Sequence, residues 1–225
     1  MEQRNKQEKK KENKFIKLKF IGKVKNQDIF DTNIPEEAKK IDLDIKDRPL
    51  VICIDQGMIL PSIDEFLKDK KPGKYHLDLT PDKAFGERKR ELIKTMPMSV
   101  FSKQNMNPQP GMILNFDGMI AKISAVSGGR VIVDFNNPLA GKEVEYDLEV
   151  IGEVTDLNEK VKALSLYFFK KEIPFNVEAK KIIFSPSKED KNFEQIVMLF
   201  KDKFKEILDL EIEVKSDSSK ESEKK

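Results

Sequence analysis

The stretch from Ile54 to Gly86, IDQGMILPSIDEFLKDKKPGKYHLDLTPDKAFG, constrains the fold more than any other part of the chain. Leu50 to Ile54 is a continuous apolar run, as in a strand covered on both faces, and Asp55-Gln56-Gly57 breaks it with a residue that tolerates positive φ. Met58-Ile59-Leu60 is apolar but follows no period. Pro61 and Ser62 predict a helix start, because Ser62 and Glu65 stand at capping-box spacing, where hydroxyl and carboxylate each satisfy an orphan backbone N–H. Ile63, Phe66 and Leu67 then share one face. Lysines fall in the last turn and Pro72-Gly73 forbids continuation. Tyr75, Leu77 and Leu79 next alternate with His76 and Asp78, the pattern of a half-buried strand. The helix must lie across that sheet. Thr80 to Gly86 is a turn-rich exit that returns the ring of Phe85 toward the helix start.

Apolar strand, Gly-x-x-Leu-Pro, short helix, Pro-Gly turn, strand and then Pro-Asp-Lys-Ala-Phe-Gly: this order resembles the core of the FKBP-type peptidyl-prolyl isomerases. Upstream, Ile16, Leu18 and Phe20 alternate with Lys17 and Lys19, and Phe20 followed by Phe30-Asp31 is similar to that family's aromatic followed by Phe-Asp. Gly22 to Gln27 reads as a polar connection. Ile34 to Ile45, opening Pro35-Glu36-Glu37, reads as a short exposed helix and loop, where archaeal long members of the family carry an acidic helical excursion.

After Gly86 the composition changes. Thr95 to Asn137 has only Lys103, Asp117, Lys122, Arg130 and Asp134 as charged residues, in a chain that is 36% charged. Met96, Met98, Met106, Met112 and Met119 also fall there. Strands are predicted at Met112–Phe116, Met119–Val126 and Arg130–Phe135, punctuated by the hairpin signals Asp117-Gly118 and Gly128-Gly129. Asn136-Asn137-Pro138-Leu139-Ala140-Gly141 followed by a strand resembles the SlyD-type subgroup, in which an insert-in-flap domain interrupts the isomerase domain.

Beyond Asp156, helices are predicted at 158–171 and 191–209, alternating with strands at 181–184 and 210–214. An α-β-α-β unit with two strands struggles to cover its own sheet, so the chain is expected to pair with its twin through this region, a homodimer. Long archaeal members of the family are similar in having an extra C-terminal domain. The expected fold is therefore α+β: an FKBP-like antiparallel sheet wrapped on a short helix, an inserted small all-β domain and a C-terminal α-β-α-β domain. Its segments are a basic disordered tail at 1–14, an isomerase domain at 15–86 plus 138–154, an insert at 87–137, the C-terminal domain at 155–215 and a disordered tail at 216–225.

Composition narrows the function. With 42 basic against 40 acidic residues the net charge is only +2, which argues against nucleic acid as partner. The single cysteine, Cys53, lies within an apolar strand and reads as a small core residue; the lone His76 reads as a surface side chain. No metal or other cofactor is expected. Met1 to Lys14 lacks an apolar segment, so neither signal peptide nor membrane span is expected there, and the expected location is the cytoplasm.

The resemblance implies prolyl isomerisation of folding chains. By family analogy Phe20, Phe30, Ile59, Leu60, Ile63, Phe85 and Tyr146 would line the pocket, with Asp31, Phe85 and Tyr146 acting on the amide and the Leu60 N–H holding the peptide. The chain departs from the family in having Phe20 and Phe85 where tyrosines are frequent, and Ile63 in place of a larger aromatic floor. Tight binding of macrolide inhibitors is thereby put in doubt. Proline-containing unfolded polypeptides are the expected partners, and Met96, Met98, Phe101, Met112 and Met119 would give the insert an adaptable surface for them. The alternatives are that these methionines simply form the insert's core, and that the protein is a holding chaperone with weak or no isomerase activity.

Overall fold

The computed structural model describes residues 13–45, 48–187 and 192–215. The disordered tails expected at 1–14 and 216–225 lie outside these, apart from Asn13 and Lys14. In chain order the elements are β1 (Phe15–Val24), β2 (Ile29–Thr32), α1 (Pro35–Ala38), β3 (Leu50–Cys53), α2 (Pro61–Leu67) and β4 (Gly73–Leu79). Next come β5 (Ile93–Pro97), α3 (Met98–Ser102), β6 (Ile113–Phe116), β7 (Met119–Ser127) and β8 (Arg130–Asp134). The chain closes with β9 (Val144–Glu153), α4 (Leu157–Phe169), β10 (Phe175–Glu178), β11 (Lys181–Phe184), α5 (Phe193–Leu208) and β12 (Glu211–Val214). It is a mixed α/β protein in which antiparallel pairing dominates and helices are few. Two compact units divide the described residues: those within 13–21, 31–76 and 147–215 form the first, residues 22–30 and 77–146 the second. Among the described residues, no helix is long and apolar enough to cross a membrane.

The largest sheet has strand order β2-β1-β9-β4, with β3 also pairing with β1. β3 runs antiparallel to β1 from Phe15↔Cys53 to Leu18↔Leu50, which buries Phe15, Ile16, Leu18, Ile52 and Cys53. The alternation read in β4 holds: Leu79 is buried, Tyr75 and Leu77 are half-buried, and His76 and Asp78 face solvent. One local expectation fails. α2 has Leu60 as its N-cap, and Leu60 makes no side-chain capping bond; Pro61 occupies the first turn, where its missing N–H leaves nothing to satisfy. The Leu60 carbonyl accepts from the N–H groups of Ile63 and Asp64, so Ser62 lies inside the helix and not at the N-cap, the position that the capping box expected with Glu65 requires.

Residues 93–134 build a four-stranded antiparallel sheet of order β5-β8-β7-β6. Both predicted hairpins form, with Asp117, Gly118, Gly128 and Gly129 all at positive φ, the twist that suits a tight turn between right-twisted strands. Two features depart from the reading. β5 was not foreseen, and α3 makes this part α+β rather than all-β.

The C-terminal residues are corrected more substantially. The order is α-β-β-α-β, not α-β-α-β, and the sheet has three strands, β10-β11-β12. β10 hairpins onto β11 through Ala179 at φ 51, and α5 carries the chain over to β12, parallel to β11. One sheet face places Ile182, Phe184 and Ile212 under the helices, against Phe169, Phe193 and Phe204. The other face presents Asn176, Glu178, Lys181, Glu211 and Glu213 to solvent. The sheet therefore has one dry face and one wet face, and the premise from which a homodimer was inferred, two strands with bare faces to cover, does not hold.

Candidate active site

In the second unit three aromatic rings from distant parts of the chain converge. Phe30 meets Phe85 edge to face at 5.6 Å and 85°, and meets Tyr146 the same way at 5.8 Å and 84°. Such perpendicular contacts set the positive edge of one ring on the negative face of another. Phe30 comes from β2, Tyr146 from β9, and Phe85 from the exit of β4. There Ala84 and Gly86 both donate their N–H to the Pro81 carbonyl, at 3.1 and 2.7 Å, and fold the Thr80–Gly86 segment into a tight turn. Beneath the rings lies Gly22 of β1. A Cβ there would sit 2.9 Å from Phe30 Cζ and 3.0 Å from Tyr146 Cε1, so only glycine leaves room for them. Tyr146 is 5% exposed, whereas Phe30 and Phe85 are half-buried and keep accessible surface.

In the first unit Asp31 follows Phe30 on β2 and reaches solvent. Loss of surrounding water pushes its carboxyl pKa above the ordinary value, against the opposing pull of the Thr32 N–H. Two neighbours that the sequence did not single out fix this strand end. Thr32 donates its hydroxyl to the Phe20 carbonyl at 2.7 Å; Asn33 accepts from the Phe20 N–H at 2.8 Å and donates to the Leu18 carbonyl at 2.9 Å. Phe20, Ile59 and Leu60 are half-buried, while Ile63 is a buried core side chain. Asp64, also buried, accepts from the Asp55 N–H at 3.2 and 3.1 Å and so closes the turn ahead of Ile59 and Leu60. Cys53 is fully buried, and burial pushes its thiol up to about 12, far from a nucleophile's range. His76 is exposed and meets Asp147 at 2.8 Å.

The residues expected to give the insert its surface separate into two groups. Phe101 is wholly buried beside Ala121, Ile123, Val131 and Val133, so its expected contact with clients is corrected: it is a core residue. Met96 and Met98 are half-buried and pack on the same core. Met112 and Met119 are exposed, and with them Ile113 and Ile120, at 68% and 67%, which the sequence reading left out. The available signal was that MILNF and MIAKI are apolar at successive positions, so both faces of β6 and β7 carry apolar side chains. The insert is tied to the chain on either side by Asp134, Asn136, Arg88 and Lys89. Asp134 accepts from the Asn136 N–H at 2.9 Å, from its side-chain amide at 2.7 Å and from Arg88. Asn136 in turn exchanges bonds with the Lys89 backbone at 2.8 and 3.0 Å.

The apolar aromatic cluster of the second unit suits binding and desolvation, a different class of site from one built on a nucleophile or general base; Cys53 is buried and His76 is engaged with Asp147 at the surface. Relatives agree with that class. A family profile described as "FKBP26, IF domain" matches residues 94–139. The chain is 30% identical over 122 residues to a probable FKBP-type 16 kDa peptidyl-prolyl cis-trans isomerase of Pseudomonas fluorescens, covering 52% of this chain and 80% of that one. It is 29% identical over 140 residues to a short-type peptidyl-prolyl cis-trans isomerase of Methanocaldococcus jannaschii, covering 60% and 88%. To the FKBP-type isomerase SlyD of Vibrio cholerae it is 28% identical over 121 residues, covering 52% and 60%. The chain belongs to the FKBP-type peptidyl-prolyl cis-trans isomerases, and its reaction is the rotation of X–Pro peptide bonds.

Proposed function

We propose that rotation occurs against the Phe30, Phe85 and Tyr146 cluster, which carries this assignment, with Asp31 orienting the substrate. Twisting an X–Pro bond destroys amide resonance at a barrier of about 18–20 kcal/mol. The twisted amide is less polar than the planar one, so surroundings that strip water from the planar form disfavour it more, and the barrier falls without a nucleophile or general base. The half-buried faces of Phe30 and Phe85 would hold the proline ring. Phe20, Ile59, Leu60 and Ile63 are the further residues we assign to substrate binding, with the Leu60 N–H holding the peptide.

The insert is, on this reading, a holding surface for unfolded clients. Ile113 and Ile120, which share one sheet face, carry it together with Met119 on the opposite face at the β6–β7 hairpin, because exposed apolar side chains on the edge strand β6 and its neighbour β7 are a liability unless they bind something. Tethering a client there raises the concentration of its prolines near the isomerase to roughly millimolar. The clients are proline-containing unfolded chains, and the location we propose is the cytoplasm.

The test replaces Ile113, Met119 and Ile120 together by serine. Their exposure predicts an intact fold and tetrapeptide turnover within about threefold of wild type, while catalysed refolding of a proline-limited protein and suppression of aggregation fall by about tenfold, the span of 1.4 kcal/mol in binding. Refolding catalysis that survives the triple substitution would remove the holding role from this surface.

A further inference from the structure

Between β3 and α2 the chain makes a turn in which Asp55 and Gly57 both adopt left-handed φ, 65° and 66°. A Cβ built at Gly57 would meet nothing within 4 Å, so packing does not fix this peptide, and glycine itself resists rotation least of all residues. Hydrogen bonds from two directions do fix it. From the isomerase side the buried Asp64 carboxylate accepts from the N–H groups of Asp55 and Gly57. From the C-terminal region Tyr167 on α4 donates its hydroxyl to the Gly57 carbonyl at 2.9 Å. The next residue, Met58, accepts from the Cys53 N–H through its sulfur at 3.1 Å and packs against the core that Phe15 and Cys53 share with α4 and α5. Tyr167 is itself held, with the Phe168 ring at 5.0 Å and Lys170 Nζ 4.8 Å from its ring centre.

We propose that Tyr167 is a positioning residue for the isomerase, through which the C-terminal region sets the plane of the Gly57–Met58 peptide and thereby the presentation of Ile59 and Leu60. The inference rests on the placing of Ile59 and Leu60 in the substrate site. It gives the C-terminal region a part in catalysis without contact with substrate. A tyrosine serving stability alone would change the melting temperature and leave the steady-state constants untouched. A positioning tyrosine acts on KM, because the groups it aligns are those that grip the peptide.

Tyr167→Phe in the full chain removes one oxygen and keeps the ring. Expected is a rise in KM for an X–Pro tetrapeptide of about three- to tenfold, the worth of one neutral hydrogen bond, with kcat within about twofold and faster hydrogen exchange at the Gly57 and Leu60 amides. Asp31→Ala is measured alongside. Wild-type constants in Tyr167→Phe while Asp31→Ala is impaired would overturn the inference and leave the site in place. Wild-type constants in both would mean the site is misplaced, and the inference falls with it. A lowered melting temperature with unchanged KM would also overturn it, since Tyr167 would then be a packing residue.

Discussion

Gly22 is the residue on which the aromatic cluster most plainly depends. Its φ is not the constraint; the space above it is, since a single methyl would press within 3.0 Å of two rings. Phe30 cannot yield freely, being wedged edge-on against Phe85 and Tyr146. Gly22→Ala should therefore leave the protein folded, at a cost within the roughly 1–3 kcal/mol of overpacking, while tetrapeptide kcat/KM falls by about fivefold or more through displaced rings. Turnover at the wild-type level would show that ring placement does not limit the reaction. The sequence pointed to Phe30, Phe85 and Tyr146 through the family resemblance. It could not convey Gly22, which reads as the start of a polar connection, because its requirement comes from rings contributed by β2 and β9. Thr32 and Asn33 escaped for a related reason: their bonds go to the backbone of β1, which no side-chain pattern records.

Among the elements, the insert shows how far pattern reading reaches. Its hairpins were legible because Asp-Gly and Gly-Gly mark turns by their own conformational freedom. β5 was not, since Ile93-Lys94-Thr95-Met96-Pro97 follows a charged stretch and ends in proline; it becomes a strand by pairing with β8. Near this junction Asp134 is nearly buried, which raises its pKa, but the Asn136 backbone and side chain and Arg88 outweigh burial and hold it below the ordinary 3.8. A carboxylate depressed on folding contributes stability that is present above its unfolded pKa and lost as pH falls through the folded one. Asp134→Ala should thus cost about 1–3 kcal/mol near pH 7. The difference from wild type should shrink once pH drops below 3.8. Thermal melts of both proteins at neutral and acid pH measure it; a gap that persists unchanged in acid would deny the carboxylate this role.

At the scale of the molecule, the C-terminal residues do not form a separate body. Phe15 at the start of β1, Cys53 of β3 and Val154 at the end of β9 are buried in one core with Val161, Leu164, Phe169, Phe193 and Phe204. Lys17 reaches Glu159 at 2.8 Å across the same junction. The third strand that completes this arrangement was hidden in sequence by its length and by a turn at Ala179 that lacks glycine or asparagine. Of the apolar stripe that the sequence places on this last helix, Phe193, Ile196, Val197, Phe200, Phe204, Ile207 and Leu208, the structure buries Phe193, Val197, Phe204 and Ile207 but leaves Ile196 exposed. Ending the chain at Thr155 would uncover Phe15, Cys53 and Val154, each large buried apolar side chain being worth about 1.5–3 kcal/mol. The shortened protein should melt well below the full chain and bind a hydrophobic dye. An unchanged melting temperature would mean the shared core contributes nothing to the isomerase body.

The central claim is that X–Pro rotation proceeds by desolvation against the aromatic cluster, with ionised Asp31 as the polar guide. The measurement that tests it most directly is the pH profile of tetrapeptide kcat/KM, by NMR exchange, for wild type and Asp31→Ala. The account predicts that wild type exceeds the variant by about tenfold or more at neutral pH, or 1.4 kcal/mol in barrier. As the pH falls, the gap should close with an apparent pKa above the ordinary 3.8, because a protonated Asp31 no longer guides. Equal rates for the two proteins at neutral pH would contradict it.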